Sequence, residues 1–159
     1  MAYVRKEILR DGIKNAAPVC DPDWRIDAMP PKRRFLVVDD VRDAAETLAQ
    51  VLKAIGHEAE WLTDPREVIP AARRLRPDLI FLDLGMPEID GYQLARMLRA
   101  EFFGFESLRL VAVTGHGQRE HRVASRQAGF DAHVTKPADP EMIQSTLETI
   151  FQGERPRSG

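Results

Sequence analysis

Three carboxylates follow directly on two apolar runs of the sequence. Asp39 and Asp40 come after residues 35–38, and Asp83 comes after residues 79–82. Short runs of large apolar side chains are typical of strands buried on both faces of a parallel sheet, and such strands present functional groups at their carboxyl ends. We therefore expect these carboxylates to share one acidic pocket. Because clustered carboxylates repel one another, the pocket should bind a hard divalent cation, and Mg²⁺ is the natural candidate.

A hydroxyl and an ammonium follow two further strand-like segments. Thr114 ends the apolar run 110–113, and Lys136, with Pro137 after it, ends the segment 132–135. Phosphoryl transfer requires a protein mainly to align the reactants and to neutralise charge on the phosphoryl oxygens. A carboxylate that attacks phosphorus, a cation, a lysine and a hydroxyl together fit that task. The indicated chemistry is phosphoryl transfer to a carboxylate.

The elements that must position these groups alternate between strand and helix, and five such rounds can be counted from residue 33 onward. The alternation predicts an α/β fold, in which a doubly wound, five-stranded parallel sheet has helices on both faces. The helix predicted over residues 118–128 is so polar that little packing should hold it in place. Glycine, proline or an acidic cap marks the predicted helix boundaries: Gly56, Pro65, Pro77 and Asp139-Pro140.

In this order, and with each group after a predicted strand, the set resembles the receiver domain of bacterial two-component response regulators. The resemblance covers about residues 33–151. It implies a flavodoxin-like fold with the receiver topology. It also implies that Asp83 is the phosphoacceptor, that Thr114 is a switch hydroxyl and that Lys136 binds the phosphoryl group.

The resemblance also implies how Mg²⁺ is held. Asp40 and Asp83 would be direct ligands, and the backbone carbonyl of Gly85 would be a third. Asp39 would act largely through water. If the two acids after the first strand only capped the following helix, neither Asp83 nor a lysine would be expected to accompany them.

Other positions of the chain follow or depart from the family pattern. His133 lies where the family usually has an aromatic residue whose rotamer follows phosphorylation, so we expect it to take part in the switch. His116 and Gly85 occupy positions that tune the lifetime of the phosphoryl group. The Lys136-Pro137 bond is expected to be cis, and Ala138 replaces a common aromatic residue without threatening the chemistry.

Length and composition predict one globular domain with tails. The chain has 159 residues, of which 43% are hydrophobic, and this is enough for one ordinary core. Prolines interrupt residues 1–32, so we expect a leader that is partly disordered or forms a short helix over residues 3–14. The receiver domain should span residues 33–152, and residues 153–159 should form a disordered tail.

Charge and cysteine content limit the location and the partners. The formal net charge is −2; residues 1–34 contain eight Lys/Arg against five Asp/Glu, and the remainder contains fifteen against twenty. Neither part has the basic bias of a nucleic-acid binder, so no direct nucleic-acid partner is expected. The lone Cys20 fits a reducing cytoplasm. No apolar stretch approaches the ~20 residues of a membrane span, so no membrane insertion is expected.

Together these features predict a stand-alone receiver that accepts a phosphoryl group from a sensor histidine kinase or a phosphotransfer protein. It is expected to be a signalling module rather than an enzyme. Because no output domain follows Phe151 in the sequence, its output should be contact with a downstream protein, or homodimerisation. The expected output face combines the helix over residues 118–128, the strand with His133 and the helix over residues 140–151.

Two alternatives remain open. A Mg²⁺-dependent phosphohydrolase with an aspartyl nucleophile, of the haloacid-dehalogenase type, would have a second aspartate two residues after the nucleophile. This chain has Gly85 there. A flavodoxin-like cofactor binder would have a loop rich in glycine and hydroxyl groups after its first strand, whereas the acids at residues 39–43 would repel a bound phosphate.

Overall fold

A computed structural model describes residues 31–104, 107–115 and 119–152. Strands and helices alternate along this part of the chain. The strands are β1 Arg34–Val38, β2 Glu58–Leu62, β3 Leu79–Asp83, β4 Arg109–Thr114 and β5 Ala132–Thr135. The helices are α1 Arg42–Ala54, α2 Val68–Leu75, α3 Gly91–Glu101, α4 Arg119–Ala128 and α5 Pro140–Ile150, and a 3₁₀ turn, Pro65–Glu67, precedes α2. The leader helix predicted over residues 3–14, His116 and the predicted tail lie outside the described residues.

The five strands form one sheet in the order β2-β1-β3-β4-β5, and every neighbouring pair is parallel. This confirms the predicted doubly wound α/β fold. Because parallel strands are aligned end to end, Asp83 pairs with Val113 and Thr114 pairs with Thr135. The carboxyl ends of β3, β4 and β5 therefore lie together at one edge of the sheet.

Alternate residues of the strands build two apolar layers, one on each face of the sheet. Leu36, Ile80 and Leu110 pack with the inner faces of α2 and α3. On the other face, Phe81 and Val111 pack against α1 and α5. All five residues of β3 are buried, which explains why its sequence is continuously apolar rather than alternating.

Helix boundaries agree with the sequence signals, with one difference of detail at the start of α2. The Asp139 side chain accepts the Met142 N–H at 2.7 Å, as expected of an N-cap before Pro140. Pro65 starts the 3₁₀ turn rather than α2 itself. Helix α2 ends at Leu75, and the next residue, Arg76, adopts a left-handed conformation with φ 46°. No glycine marks that end; the following Pro77 disfavours continuation of the helix.

No helix in the described ranges combines the length and the apolar character needed to cross a bilayer.

An aromatic and basic cluster closes the amino-terminal edge of the sheet. The Arg33 guanidinium lies 3.7 Å from the centre of the Phe151 ring, which stacks on Phe35 at 6.2 Å. His57 packs edge-on against Phe35, and its Nδ1 accepts the Arg33 N–H at 3.4 Å. Burial and then the Arg33 charge lower the pKa of His57, while the charge of Asp78 opposes this in part.

We expect the protein to lose stability as the pH falls below about 6.5, the ordinary pKa of histidine. The folded chain resists protonation of His57, so the unfolded chain binds more protons there and the free energy of unfolding decreases as the pH falls. Replacing His57→Asn keeps an acceptor near the Arg33 N–H but cannot titrate. Urea unfolding at pH 7.5 and pH 5.5 should show a smaller pH effect in this variant than in the wild type. An equal effect in both proteins would contradict the assignment.

Candidate functional site

The three acids expected to share a pocket lie together at the carboxyl edge of the sheet. Oxygen atoms of Asp39, Asp40 and Asp83 lie within 4.8 Å of one another. Asp39 is only 4% exposed and Asp83 only 6%, whereas Asp40 faces solvent. The carboxylates of Asp39 and Asp83 are thus held close together and are almost completely shielded from solvent. Such an arrangement is unfavourable unless positive charge compensates it.

Backbone groups orient the two buried carboxylates. The Val41 N–H donates to Asp39 Oδ1 at 2.9 Å, and the Asp39 N–H itself donates to the Leu62 carbonyl at 3.1 Å. The Gly85 N–H donates to Asp83 Oδ1 at 3.1 Å. Asp39 therefore also stabilises the turn into α1. Because these bonds come from the loops that follow β1 and β3, strand ends and loops together fix the acidic cluster.

Lys136 reaches the cluster from the loop between β5 and α5. Its Nζ lies 2.7 Å from Asp39 Oδ2 and 3.6 Å from Asp83 Oδ1. The Lys136-Pro137 bond is cis, as expected, and the Lys136 N–H donates to the Thr114 carbonyl at 2.7 Å. Burial alone lowers the pKa of Lys136, but the hydrogen bond and charge of Asp39, and then of Asp83, outweigh it. The pKa lies above its ordinary value, so the side chain is a cation at neutral pH.

The two residues predicted to act as a switch lie on neighbouring strands. Thr114 ends β4 next to the end of β3 and is buried. His133 lies on β5, half-buried, and pairs with Ala112. Ala112 belongs to the apolar layer that faces α2 and α3, and paired residues of parallel strands point to the same face. His133 thus lies on the same face of the sheet as Thr114, two residues further from the acidic edge.

The chemistry of this donor set fits Mg²⁺. Three carboxylates face one ammonium, so the sum −3 + 1 leaves two negative charges that these groups do not compensate. Mg²⁺ carries two positive charges and prefers oxygen ligands, of which carboxylates are the usual protein source. A Cβ at residue 85 would be in van der Waals contact with the Asp83 carboxylate, 3.6 Å from Oδ1 and 3.8 Å from Oδ2, so Gly85 leaves this position beside the acid unfilled. Receiver domains generally bind Mg²⁺ in such an acidic pocket.

Gly91, at the start of α3, is a supporting residue that the sequence analysis missed. A Cβ at this position would lie 2.8 Å from the backbone oxygen of Asp83 and 3.0 Å from Leu84 Cα. Asp90 caps the same helix by accepting the Tyr92 N–H at 3.0 Å. Helix α3 can therefore begin directly against the Asp83 backbone only because residue 91 has no side chain. An Asp-Gly step before a helix was the available sequence signal, but it does not reveal what the glycine faces.

We expect Gly91→Ala to destabilise the protein by about 1–3 kcal/mol, because the added methyl group meets backbone atoms that cannot move independently. Chemical denaturation measures this change. The matched control is Gly115→Ala, since a Cβ at residue 115 would meet nothing within 4 Å. If the two variants lose equal stability, the close approach at Gly91 is not the cause.

A groove beside the acidic cluster separates α1 from the loop that carries Lys136. Its volume is about 560 Å³. Asp39 and Lys136 line one end of it. Mostly apolar or small side chains line the remainder, among them Ala44, Thr47, Leu48, Val51, Pro137 and Ala138. The Asp39–Lys136 ion pair thus borders a surface on which another molecule can pack.

Comparison with known proteins identifies the sequence family. A family model for the response regulator receiver domain matches residues 35–148. Response regulator MprA of Mycolicibacterium vanbaalenii is 32% identical over 126 residues, which is 79% of this chain and 53% of that protein. The DNA-binding response regulator MtrA of Mycobacterium tuberculosis is 34% identical over 112 residues, 70% of this chain and 47% of MtrA. The chain spans about half the length of these curated relatives.

Solved structures share the fold. A putative response regulator from Chloroflexus aurantiacus superposes with a TM-score of 0.69 at 26% identity, covering 76% of this chain and 98% of that one. The chemotaxis protein CheY4 of Vibrio cholerae superposes with a TM-score of 0.70 at 24% identity, covering 75% of this chain and 98% of CheY4. The family match spans most of the chain and includes the whole of β3 and β5 with their acidic and basic ends. The chain therefore belongs to the response regulator receiver domain family of two-component signalling proteins.

Proposed function

We propose that Asp83 accepts a phosphoryl group from a sensor histidine kinase or a phosphotransfer protein. One observation supports this most: the nearly buried Asp83 carboxylate lies 3.6 Å from the Lys136 ammonium, within a cluster of three acids. Receiver domains are signalling modules, and response regulators interact with histidine kinases. The proposal assigns to Asp83, Lys136 and Thr114 the roles that this family requires.

In the proposed reaction, a carboxylate oxygen of Asp83 forms a bond to phosphorus. The bond between phosphorus and the imidazole nitrogen of the donor breaks, and the imidazole leaves with a proton. The product is an acyl phosphate on Asp83. Lys136 binds one phosphoryl oxygen and the Thr114 hydroxyl donates to another, so both offset the charge that develops in the transition state. Water later attacks the same phosphorus; the bond between phosphorus and the Asp83 oxygen breaks, inorganic phosphate leaves and the carboxylate is restored.

We assign the Mg²⁺ ligands to Asp40, Asp83 and the backbone carbonyl of Gly85, with Asp39 acting through water. When bound, Mg²⁺ supplies positive charge that offsets the charge of the phosphoryl oxygens and of the carboxylates. Asp39 already accepts hydrogen bonds from Lys136 and from the Val41 N–H. It is therefore better suited to hold the lysine in place than to turn a free oxygen toward a metal.

We propose that the signal leaves the domain through protein contacts. Drawing Thr114 toward the phosphoryl group vacates space beside β5, and His133 then turns inward. The groove between α1 and Lys136 is the proposed docking site for the phosphoryl donor, since Lys136, which contacts Asp83, lines it. The output face combines α4, β5 and α5, where a downstream protein or a second copy of the chain would bind.

Residues 33–152 are the proposed receiver domain, and the cytoplasm is its proposed location.

Acetyl phosphate and Mg²⁺ test the central claim without a known kinase. We expect the intact mass to increase by one phosphoryl group, and the adduct to survive acid but not alkali, as an acyl phosphate does. The yield should fall when Mg²⁺ is chelated. Absence of any adduct, or continuous hydrolysis of simple phosphate esters at the turnover expected of a phosphohydrolase, would refute the proposal.

A further inference from the structure

Small side chains attach residues 123–128 of helix α4 to the domain. Between residues 123 and 128 only Ser125 and Ala128 are buried, and Val123 is exposed. A buried alanine methyl stabilises a helix much less than a buried leucine or phenylalanine does, because it removes less apolar area from water. What holds α4 must therefore include contacts beyond this stretch.

Arg99 of α3 makes such contacts at the C-terminal end of α4. Its Nε and Nη2 donate to the Gly129 carbonyl at 2.9 and 2.6 Å, and its Nη1 donates to the Leu108 carbonyl at 2.6 Å. Nη2 also donates to Asp131 Oδ2 at 2.8 Å, an oxygen that accepts the Leu110 N–H at 2.8 Å as well. We call Arg99, Leu108, Gly129 and Asp131 the Arg99 bracket. It ties α3, the start of β4 and the turn from α4 to β5 together.

The turn after α4 is shaped to fit Arg99. Gly129 has φ 97°, and a Cβ there would lie 2.9 Å from Arg99 Cγ. The Gly129 N–H donates to the Arg126 carbonyl and the Phe130 N–H donates to the Ser125 carbonyl, which closes the end of the helix. A positive charge next to a helix C-terminus is favourable because it faces the negative end of the helix dipole. The bracket therefore fixes this end of α4 by charge, hydrogen bonds and shape.

We propose that the Arg99 bracket is the pivot of α4 when Asp83 is phosphorylated, which makes Arg99 a positioning residue for the switch; the inference rests on the proposed function. The other end of α4 follows Thr114 along the chain, and Thr114 is the residue that the phosphoryl group draws in. A tilt that increases toward Arg119 breaks few contacts of residues 123–128, since this stretch buries only small side chains. A displacement of the C-terminal end would break the bracket.

Amide hydrogen exchange on the full chain tests the pivot, with beryllofluoride as the phosphoryl mimic. In the wild type, beryllofluoride should change exchange in the first turn of α4 but not at residues 129–131. In Arg99→Gln we expect the unliganded exchange of residues 129–131 to rise about tenfold, and the beryllofluoride response to extend to them. The adduct yield with acetyl phosphate should stay unchanged. Arg96→Gln, an exposed arginine of the same helix, should behave as the wild type.

Arg99→Lys keeps the positive charge but not the several N–H donors of the guanidinium. The exchange of residues 129–131 should therefore rise less in this variant than in Arg99→Gln. If Arg99→Gln does not fold, Arg99→Lys provides the test. The pivot is wrong if residues 129–131 of the wild type respond to beryllofluoride as strongly as the first turn does. It is also wrong if the Arg99 variants exchange like Arg96→Gln. Absence of a phosphoryl adduct on the wild type would refute the proposed function instead. In that case the unliganded exchange of the Arg99 variants tests only the anchor: a rise that is largest at residues 129–131 supports anchoring of α4 by the Arg99 bracket, and a uniform rise along α4 overturns it.

Discussion

Asp83→Asn is expected to abolish formation of the acid-stable phosphoryl adduct. The substitution preserves the size of the side chain and an acceptor for the Gly85 N–H, which donates to Asp83 Oδ1 at 3.1 Å. It removes the anionic oxygen that attacks phosphorus, and a neutral amide oxygen does not replace that nucleophile. Treatment with acetyl phosphate and Mg²⁺ followed by intact mass measurement should therefore show the wild-type adduct and none in the variant.

A control for this prediction must also replace one carboxylate by an amide but leave the acidic cluster intact. Glu141→Gln serves, because Glu141 is an exposed carboxylate of α5 and is not one of the three clustered acids. It should be phosphorylated as the wild type is. Thermal unfolding should show that Asp83→Asn is folded and no less stable in the absence of metal, since it removes one of three mutually repelling carboxylates. An undiminished adduct in Asp83→Asn would mean that another residue is the acceptor.

Asp40→Asn is expected to weaken Mg²⁺ binding by at least about tenfold, because it removes both a proposed ligand and one negative charge from the cluster. The same change should slightly stabilise the metal-free protein. Asp40 is exposed, so water screens its repulsion and the gain should stay below about 1 kcal/mol. Asp40 would then slightly destabilise the metal-free protein but increase its affinity for Mg²⁺.

Calorimetric titration with Mg²⁺ measures the affinity, and thermal unfolding with and without Mg²⁺ measures the linked stability. A metal that binds only the folded chain stabilises it by about 1.4 kcal/mol at ten times the dissociation constant. At the same Mg²⁺ concentration, this stabilisation should fall to about 0.4 kcal/mol or less in Asp40→Asn. Glu88→Gln, an exposed acid of the loop after β3, should retain it. Equal affinity in Asp40→Asn and the wild type would place the metal elsewhere.

The sequence alone determined the sheet and the acidic edge, for a local physical reason. A run such as residues 79–82 has no polar face, so it is stable only as a strand covered on both sides, and the alternation with helices makes the sheet parallel. Parallel strands aligned end to end bring whatever follows them to one edge, which is how Asp39 and Asp83 could be placed together from the sequence. The cap at Asp139 is equally local, since it depends on residues three positions apart.

Tertiary structure decided the contacts that join distant parts of the chain. Lys136 and Asp39 are 97 positions apart, and their 2.7 Å contact depends on how the β5–α5 loop is placed over β1. In the sequence, Arg99 looks like Arg96, an arginine on a helix; only packing shows that its fork fits the turn at Gly129. Gly91 and His57 were missed for the same reason. Local sequence patterns predict burial and helix boundaries. The contacts that a side chain makes across the domain are determined only when the helices and strands pack together.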